Sequence, residues 1–292
     1  MHTKRCAYLT MDDLGDFVSD ADLSIAPMSA RGWDVDMVSW RNEAICWNDY
    51  DAVYICTPWD YQDDPDRFVG VLERIDQSNA RLVNDLALVR WSIAKDYLRE
   101  LESRGAPIVP SRWYDNIRGL DRRELFRVAG TDKIVVKPFV GGNAADTFVL
   151  EDAGSVELDP VVRETFAAKP FFVQPFVANI TKEGEYSLFF FGGEYSHAIL
   201  KVPKHGDFRV QEEHGADIRA VEPSTDLVAT ARQVLSLVEP FPVYVRADFV
   251  RDTDNRFLLM ELELIEPALY FRMDGGAADR FAAAFDEYAR AD

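Results

Sequence analysis

The sequence predicts an α/β protein in two styles: a layered N-terminal unit, then β-rich units that carry helices of their own. Three observations point there. Short apolar strands alternate with helical patterns over the first hundred residues, and strand-like runs with glycine turns dominate from Lys133 onward. The third is size: 292 residues at 48% hydrophobic and 12% aromatic are enough for more than one compact core.

In chain order, CAYLT (6–10), WDVDMVS (33–39) and AVYICT (52–57) are short strands. Asp64 as N-cap and Pro65 at the first helical position open a helix that runs to Asn79. RLVN (81–84) is a further strand, and Asp85 caps a long helix, LALVRWSIAKDYLRELESR, which Gly105 and Pro107 end. That helix joins two domains and carries Lys95. The runs KIVVKPFV, PFFVQPFV and YSLFFFGGEYSHAILKV follow as strands, with Gly192-Gly193 as a hairpin turn. A helix starts at Ser224 or Thr225 and runs to about Glu239, and the last helix covers Ala277 to Arg290. No internal repeat or low-complexity tract interrupts this order.

A formal charge of −19 makes the surface repel nucleic acid and anionic lipid, so the expected partners are small molecules rather than nucleic acid or a membrane. Cys6, Cys46 and Cys56 are an odd number without a CxxC, which suggests neither a disulfide framework nor a thiolate zinc site and fits a reduced compartment. The N-terminal MHTKRCAYLTMDDLGD holds too short an apolar run for a signal peptide or a membrane span, so a cytoplasmic location is expected.

The chemistry concentrates in two strands near the C-terminus, PVYVRADFV (242–250) and FLLMELELI (257–265). Alternation puts Tyr244, Arg246, Asp248 and Val250 on one face of the first. In the second, Phe257, Leu259, Glu261, Glu263 and Ile265 oppose Leu258, Met260, Leu262 and Leu264. Paired as a hairpin, the strands set one guanidinium, Arg246, among the carboxylates Asp248, Glu261 and Glu263. Two readings stand. One is a solvated sheet face with a cross-strand ion pair. The other is a site for a hard divalent cation such as Mg²⁺, which takes carboxylate oxygens and shares itself with phosphates. The apolar neighbours on that face argue against open water, and the lack of His or Cys in these strands argues against zinc.

Phosphates need cations at their far end. Lys137 ends IVVKP, Lys201 ends SHAILK, and Lys95 lies on the long helix. Each alone reads equally as a lysine whose stem lies on a sheet rim with its amine in water. Directly after Lys137, Gly141 and Gly142 in PFVGGNAAD make either an ordinary turn or a loop whose N–H groups cover phosphate oxygens. No GxxxxGK[ST] loop is present, and no GxGxxG follows the first strand.

Taken in order, Lys95, VVKP, VQPFV, EGEYS, ILK, VRADF and MELE resemble the ATP-grasp superfamily, in its glutathione-synthetase and D-alanine–D-alanine-ligase branch, over roughly residues 81 to 275. The resemblance implies a Rossmann-like substrate domain (1–100), a small lid subdomain (101–178) and a large metal-bearing subdomain (179–292), the last two sandwiching ATP. It implies that Lys95 and Lys137 contact ATP phosphates, that Gly141 and Gly142 belong to a mobile loop closing over them, and that the segment from Gln174 through Phe176 and Val177 serves adenine. It further implies Glu185 on the ribose, Lys201 and Arg246 on the transferred phosphoryl group, and Asp248, Glu261 and Glu263 on two magnesium ions. Two positions depart from the family: Glu263 stands where asparagine is common, and Gln174 where an acid is.

TPWDY (57–61), NDLALVRWSIAKDYL, FRVQEEHG and MELELIEP also resemble the cyclo-ligase subfamily that closes O-ureidoserine to cycloserine. This implies substrate contacts at Trp59, Asp60, Tyr61, Arg209 and Gln211, with turn residues or an aromatic packed beneath a loop as the plain alternative. The activity implied is an ATP- and Mg²⁺-dependent carboxylate–amine ligase working through an acylphosphate on a small amino-acid-like substrate. An intermolecular peptide-forming ligase and a non-catalytic ATP-binding regulator remain as alternatives, and a homodimer as the alternative to a monomer.

Overall fold

The computed structural model describes residues 3–151 and 156–291; the first two and the last residue of the expected domain spans, and 152–155 within them, lie outside the described residues. Chain order begins β1 (Lys4–Thr10), α1 (Ile25–Ala30), β2 (Trp33–Ser39), β3 (Ala52–Thr57), α2 (Pro65–Asp76) and β4 (Arg81–Val83). These four strands form a parallel sheet in the order β2-β1-β3-β4. Strand β3 is buried at every position, as a parallel strand covered on both faces should be. In α2, the Asp64 carboxylate accepts from the Arg67 N–H, and Phe68, Val71, Leu72 and Ile75 turn inward at helical spacing. The helix stops at Asp76, short of Asn79, where the Ser78 hydroxyl takes the Ile75 carbonyl at 2.6 Å.

The long helix expected from Leu86 is broken. Its two parts are α3 (Leu86–Ser92), capped by Asp85, and α4 (Tyr97–Ser103). The Lys95 N–H donates to the Phe139 carbonyl at 2.8 Å, outside any helical ladder. A tertiary hydrogen bond has overridden local helix preference, and Lys95 sits in the break rather than on a helix face.

A second, antiparallel sheet contains β5 (Arg112–Tyr114), β6 (Lys133–Pro138), β7 (Phe148–Glu151) and β8 (Phe171–Pro175) in the order β5-β8-β6-β7, with α5 (Arg122–Ala129) and α6 (Pro160–Thr165) between its strands. After α7 (Asn179–Lys182), a third sheet is built from β9 (Glu185–Phe191), β10 (Glu194–Val202), β11 (Asp217–Ala220), β12 (Tyr244–Arg251) and β13 (Phe257–Glu263). Its order is β11-β10-β9-β12-β13, antiparallel throughout. Gly192 and Gly193 turn the β9–β10 hairpin at φ 56° and 86°, a left-handed pair that glycine adopts freely. Helix α8 (Thr225–Leu235), capped by Ser224 and ending before Glu239, lays Leu227, Ala231 and Val234 against Leu188, Phe190, Val245, Ala247 and Phe249. Helix α9 (Ala277–Arg290) returns to the N-terminal sheet, where Phe281 and Phe285 join Tyr54 and Trp33.

The β12–β13 register pairs Arg246 with Glu263 and Asp248 with Glu261, bringing together the four side chains that the alternation sets roughly across from one another. The next pair is Phe249 with Leu259, so Met260 is an extra residue in β13, a β-bulge. The bulge corrects the face assignment of the strand's first half. Phe257 and Leu259 pack into the α8 core, while Leu258 and Met260 join Val250 on the other side. The apolar neighbours expected beside the acids are thus divided between two faces.

Two buried polar side chains fasten the layers. Asn84, at φ 58°, donates to the Tyr244 and Leu264 carbonyls at 2.8 and 2.7 Å and accepts from the Val243 N–H at 2.7 Å. His197, 5% exposed and stacked on Phe189 with ring centroids 4.2 Å apart, has its Nε2 3.0 Å from the Leu269 carbonyl. Burial pulls the His197 pKa from 6.5 down to about 4. Below pH 6.5 the unfolded chain therefore gains a proton that the folded chain refuses, and stability falls until about pH 4, by roughly 3 kcal/mol in all. Denaturant midpoints at pH 7 and pH 4.5 should show this loss in the native protein, and His197→Gln should remove that part of the pH slope. An unchanged slope would contradict the buried neutral imidazole.

Candidate active site

The inner ends of the second and third sheets open on one cleft, roofed by the loop after β6 and by the segment after β10. Lys95, Lys137, Gly141 and Gly142 line it from the lid side, and Gln174, Phe176 and Val177 from the end of β8. Glu185, Lys201, Arg246, Asp248, Glu261 and Glu263 line it from the third sheet, and Trp59, Arg209 and Gln211 complete it. Strand alternation explains the sheet's share, because Arg246 and Asp248 share a face of β12 while the residues between them feed the α8 core.

Ion pairing is dense. Arg246, 8% exposed, donates to Asp248 at 3.0 Å and also binds Glu263. Lys201, 4% exposed, pairs with Glu185 and reaches Asp248 at 3.6 Å, and the Ser187 hydroxyl donates to Asp248 at 2.5 Å. Lys95 bonds Glu261 at 3.0 Å and donates to the Gly141 carbonyl. Burial pushes the Asp248 carboxyl up, but Arg246 and Lys201 outweigh it and hold the group below its ordinary value. Burial pulls Lys201 down, and Asp248 and Glu185 reverse this to a net rise. Glu263 stands at about 7, raised by burial and by Glu261 and Asp248 against the pull of Arg246.

Lys137 differs from the other cations. Among the described residues it makes no ion pair, and burial lowers its pKa. A desolvated ammonium without a counter-ion is a ready anchor for an anion. Beside it, the Gly142 N–H donates to Gln62 Oε1 at 2.6 Å, and a Cβ on Gly142 would stand 2.1 Å from Gln62 Nε2, so a larger residue there would displace the Gln62 amide. Asn143, Ala144 and Asp146 follow at positive φ, an unusual density of left-handed non-glycine backbone. At the other end of the cleft, Val109, Ile180, Val210, Val250 and Met260 make an apolar floor with Phe176, over whose ring Lys133 sits at 4.4 Å.

Several expectations need correction. Asp60 does not face the cleft; it accepts from Trp40 Nε1 at 2.6 Å and Arg41 Nε at 2.7 Å, as a turn residue. Tyr61 is buried with its ring on Phe68, and its hydroxyl is hydrogen-bonded to Glu266. Glu185 is not a free acceptor, since it is 6% exposed and committed to Lys201. Gln174 Nε2 donates to Ser111 Oγ at 3.0 Å, so one of its two N–H donors is already engaged. Asp248, Glu261 and Glu263 share the cleft but, among the described residues, form no preassembled three-ligand metal cluster. Each is instead held by a cation. The donor set still suits Mg²⁺, because the groups are all carboxylate oxygens and this ion is commonly held by one or two carboxylates with phosphates supplying the rest.

Two cleft-lining side chains escaped the sequence. Gln62 carries no signal of its own. Glu266 lines the cleft three residues beyond Glu263, inside the quoted MELELIEP, but strand alternation gives no reason to select it. Burial, and then Glu263, push its carboxyl up to about 8 against Lys95 and the Tyr61 hydrogen bond.

Comparison with known proteins agrees with this geometry. Residues 6–84 match the family model of the D-cycloserine synthetase DcsG N-terminal domain. The cycloserine biosynthesis protein DcsG of Streptomyces lavendulae is 29% identical over 272 residues, 88% of this chain and 89% of its own. A crystal structure of D-cycloserine synthetase DcsG superposes with a TM-score of 0.85 at 26% identity, covering 98% of this chain and 100% of that one. D-alanine–D-alanine ligase of Bacillus anthracis complexed with ATP gives 0.70 at 14% identity, covering 98% and 97%. The ATP-grasp ligase PsnB, solved with a minimal precursor, Mg and ADP, gives 0.65 at 16%, covering 99% of both chains; these last two likenesses carry the fold. With the fold, the cleft and the relatives in agreement, this chain is homologous to the cycloserine synthetase DcsG and has the fold of the ATP-grasp ligases.

Proposed function

We propose that the protein is an ATP- and Mg²⁺-dependent ligase that activates the carboxylate of a small amino-acid-like molecule and closes it onto a nitrogen of the same molecule, as in a cycloserine-type ring. The observation that carries this is the meeting of unpaired Lys137 with the Lys201–Asp248–Arg246–Glu263 chain across one cleft. Likeness to the cycloserine synthetase over most of the chain supports the intramolecular form. The division at 1–100, 101–178 and 179–292 is part of the same proposal, and each sheet falls inside one span.

In the reaction, a carboxylate oxygen attacks the γ-phosphorus and the bond to the β-phosphate oxygen breaks, leaving ADP. The substrate nitrogen then attacks the acyl carbon, the carbon–oxygen bond to phosphate breaks, and the nitrogen loses a proton. Such a transfer calls for positioning and charge neutralisation rather than a protein nucleophile. Lys95 and Lys137 hold the phosphates, while Lys201 and Arg246 face the transferred group. Mg²⁺, held by Asp248, Glu261 and Glu263, would neutralise β- and γ-phosphate oxygens, and binding it requires Lys95 and Arg246 to give up part of their present ion pairs. The strained loop over Gly141 and Gly142 keeps water from the acylphosphate. Holding both reacting groups in one substrate supplies rate by proximity.

Thermal unfolding with and without Mg·ATP is the first test. Saturation at about a hundredfold above Kd should raise the midpoint by roughly 5 °C or more. An ADP-release screen of small amino acids with ureido and hydroxamate analogues follows. Turnover with one substrate and no added amine supports ring closure, whereas dependence on a second amine would favour peptide-type ligation. A midpoint shift without turnover on any carboxylate would favour a nucleotide-binding regulator.

A further inference from the structure

We infer that Glu266 is the binding residue for the substrate's ammonium group. This rests on the ligase reading above and extends it to a specificity-determining residue.

Charge balance in the cleft singles out Glu266. Asp248, Glu261, Glu263 and Glu185 each bond a lysine or arginine, whereas no cation lies within ion-pair distance of Glu266 among the described residues. Its backbone is fixed. Trp59 Nε1 donates to the Glu266 carbonyl at 2.9 Å, the Tyr244 hydroxyl donates to the Ile265 carbonyl at 2.8 Å, and Pro267 follows. The Tyr61 hydroxyl is hydrogen-bonded to the Glu266 carboxyl from the N-terminal layer. A carboxyl held this firmly into a cleft is arranged to meet a ligand.

A second observation is independent of the first. Gln211 Oε1 is a buried acceptor with no hydrogen-bond partner, and Gln211 lines the same cleft. Leaving such an atom unsatisfied is unfavourable. Gln211 Oε1 therefore awaits a donor, and Glu266 awaits a cation. ATP phosphates and a substrate carboxylate offer acceptors alone, and so cannot supply them. An ammonium offers three N–H donors and no acceptor. Docked on Glu266, it also favours the ionised carboxylate that burial otherwise disfavours.

The test uses the full-length protein in the ADP-release assay, with a panel of small amino acids, their ureido and hydroxamate analogues and the N-acetyl form of each. The native enzyme should lose roughly tenfold or more in kcat/KM on N-acetylation of its substrate. Glu266→Gln should raise the KM of the free amine about tenfold, keep the KM for ATP and the Mg·ATP-induced midpoint shift, and erase the preference over the N-acetyl form. Glu266→Asp should restore part of that preference. Equal use of the two forms by the native enzyme, or an undiminished preference in Glu266→Gln, would overturn the assignment while leaving the ligase reading intact. No turnover of any panel member by the native enzyme would overturn both.

Discussion

Replacing Arg246 by methionine is expected to reduce ADP release by on the order of a thousandfold or more and to destabilise the fold by roughly 3–5 kcal/mol. The two effects have separate causes. For catalysis, the proposed mechanism sets Arg246 against the transferred phosphoryl group, where a fixed cation stabilises charge that grows in the transition state. For stability, Arg246 lies between Asp248 and Glu263, and methionine leaves both carboxylates buried, with Lys201 and the Ser187 hydroxyl still compensating Asp248. Denaturant unfolding and steady-state ADP release, measured on the same preparation, resolve the two. Turnover within tenfold of native would remove Arg246 from the chemistry, and unchanged stability would mean the acids protonate at little cost.

Glu261→Gln should behave differently: ADP release falls by about a hundredfold or more, while stability stays within about 1 kcal/mol of native. Its side chain is 31% exposed and its ion pair with Lys95 is the partly solvated kind that contributes little to folding. Glutamine keeps the volume and one carbonyl oxygen but loses the negative charge that a hard cation demands. Raising Mg²⁺ should recover part of the loss. Native turnover in this variant would show that Glu261 is only the surface partner of Lys95.

The sequence announced more of the cleft than of its wiring. Alternation in VRADF and MELE was enough to set Arg246 and Asp248 roughly across from Glu261 and Glu263, because hairpin pairing is local and side-chain period is fixed, but the exact pairs depend on the bulge. The caps at Asp64, Asp85 and Ser224 were legible for the same reason. What could not be read are effects that depend on distant chain. The helix break at Lys95 exists because Phe139, over forty residues on, offers a carbonyl. The placement of Asp60 depends on Trp40 and Arg41, and that of Gln62 on Gly142. Glu266 needed the third dimension too, since it is singled out by the want of a cation partner among the described residues rather than by any motif.

The extra residue at Met260 has a consequence for how one strand serves two unlike parts of a ligand. Before it, β13 turns Leu258 toward Val250; after it, the same side of the strand offers Glu261 and Glu263. Without that irregularity, strict two-residue alternation would send the greasy and the ionic halves to opposite sides of the sheet. A single backbone hiccup therefore draws the border between an apolar and a charged half of the cleft, which on the proposed ligase reading would serve the flat ring and the phosphates of one nucleotide.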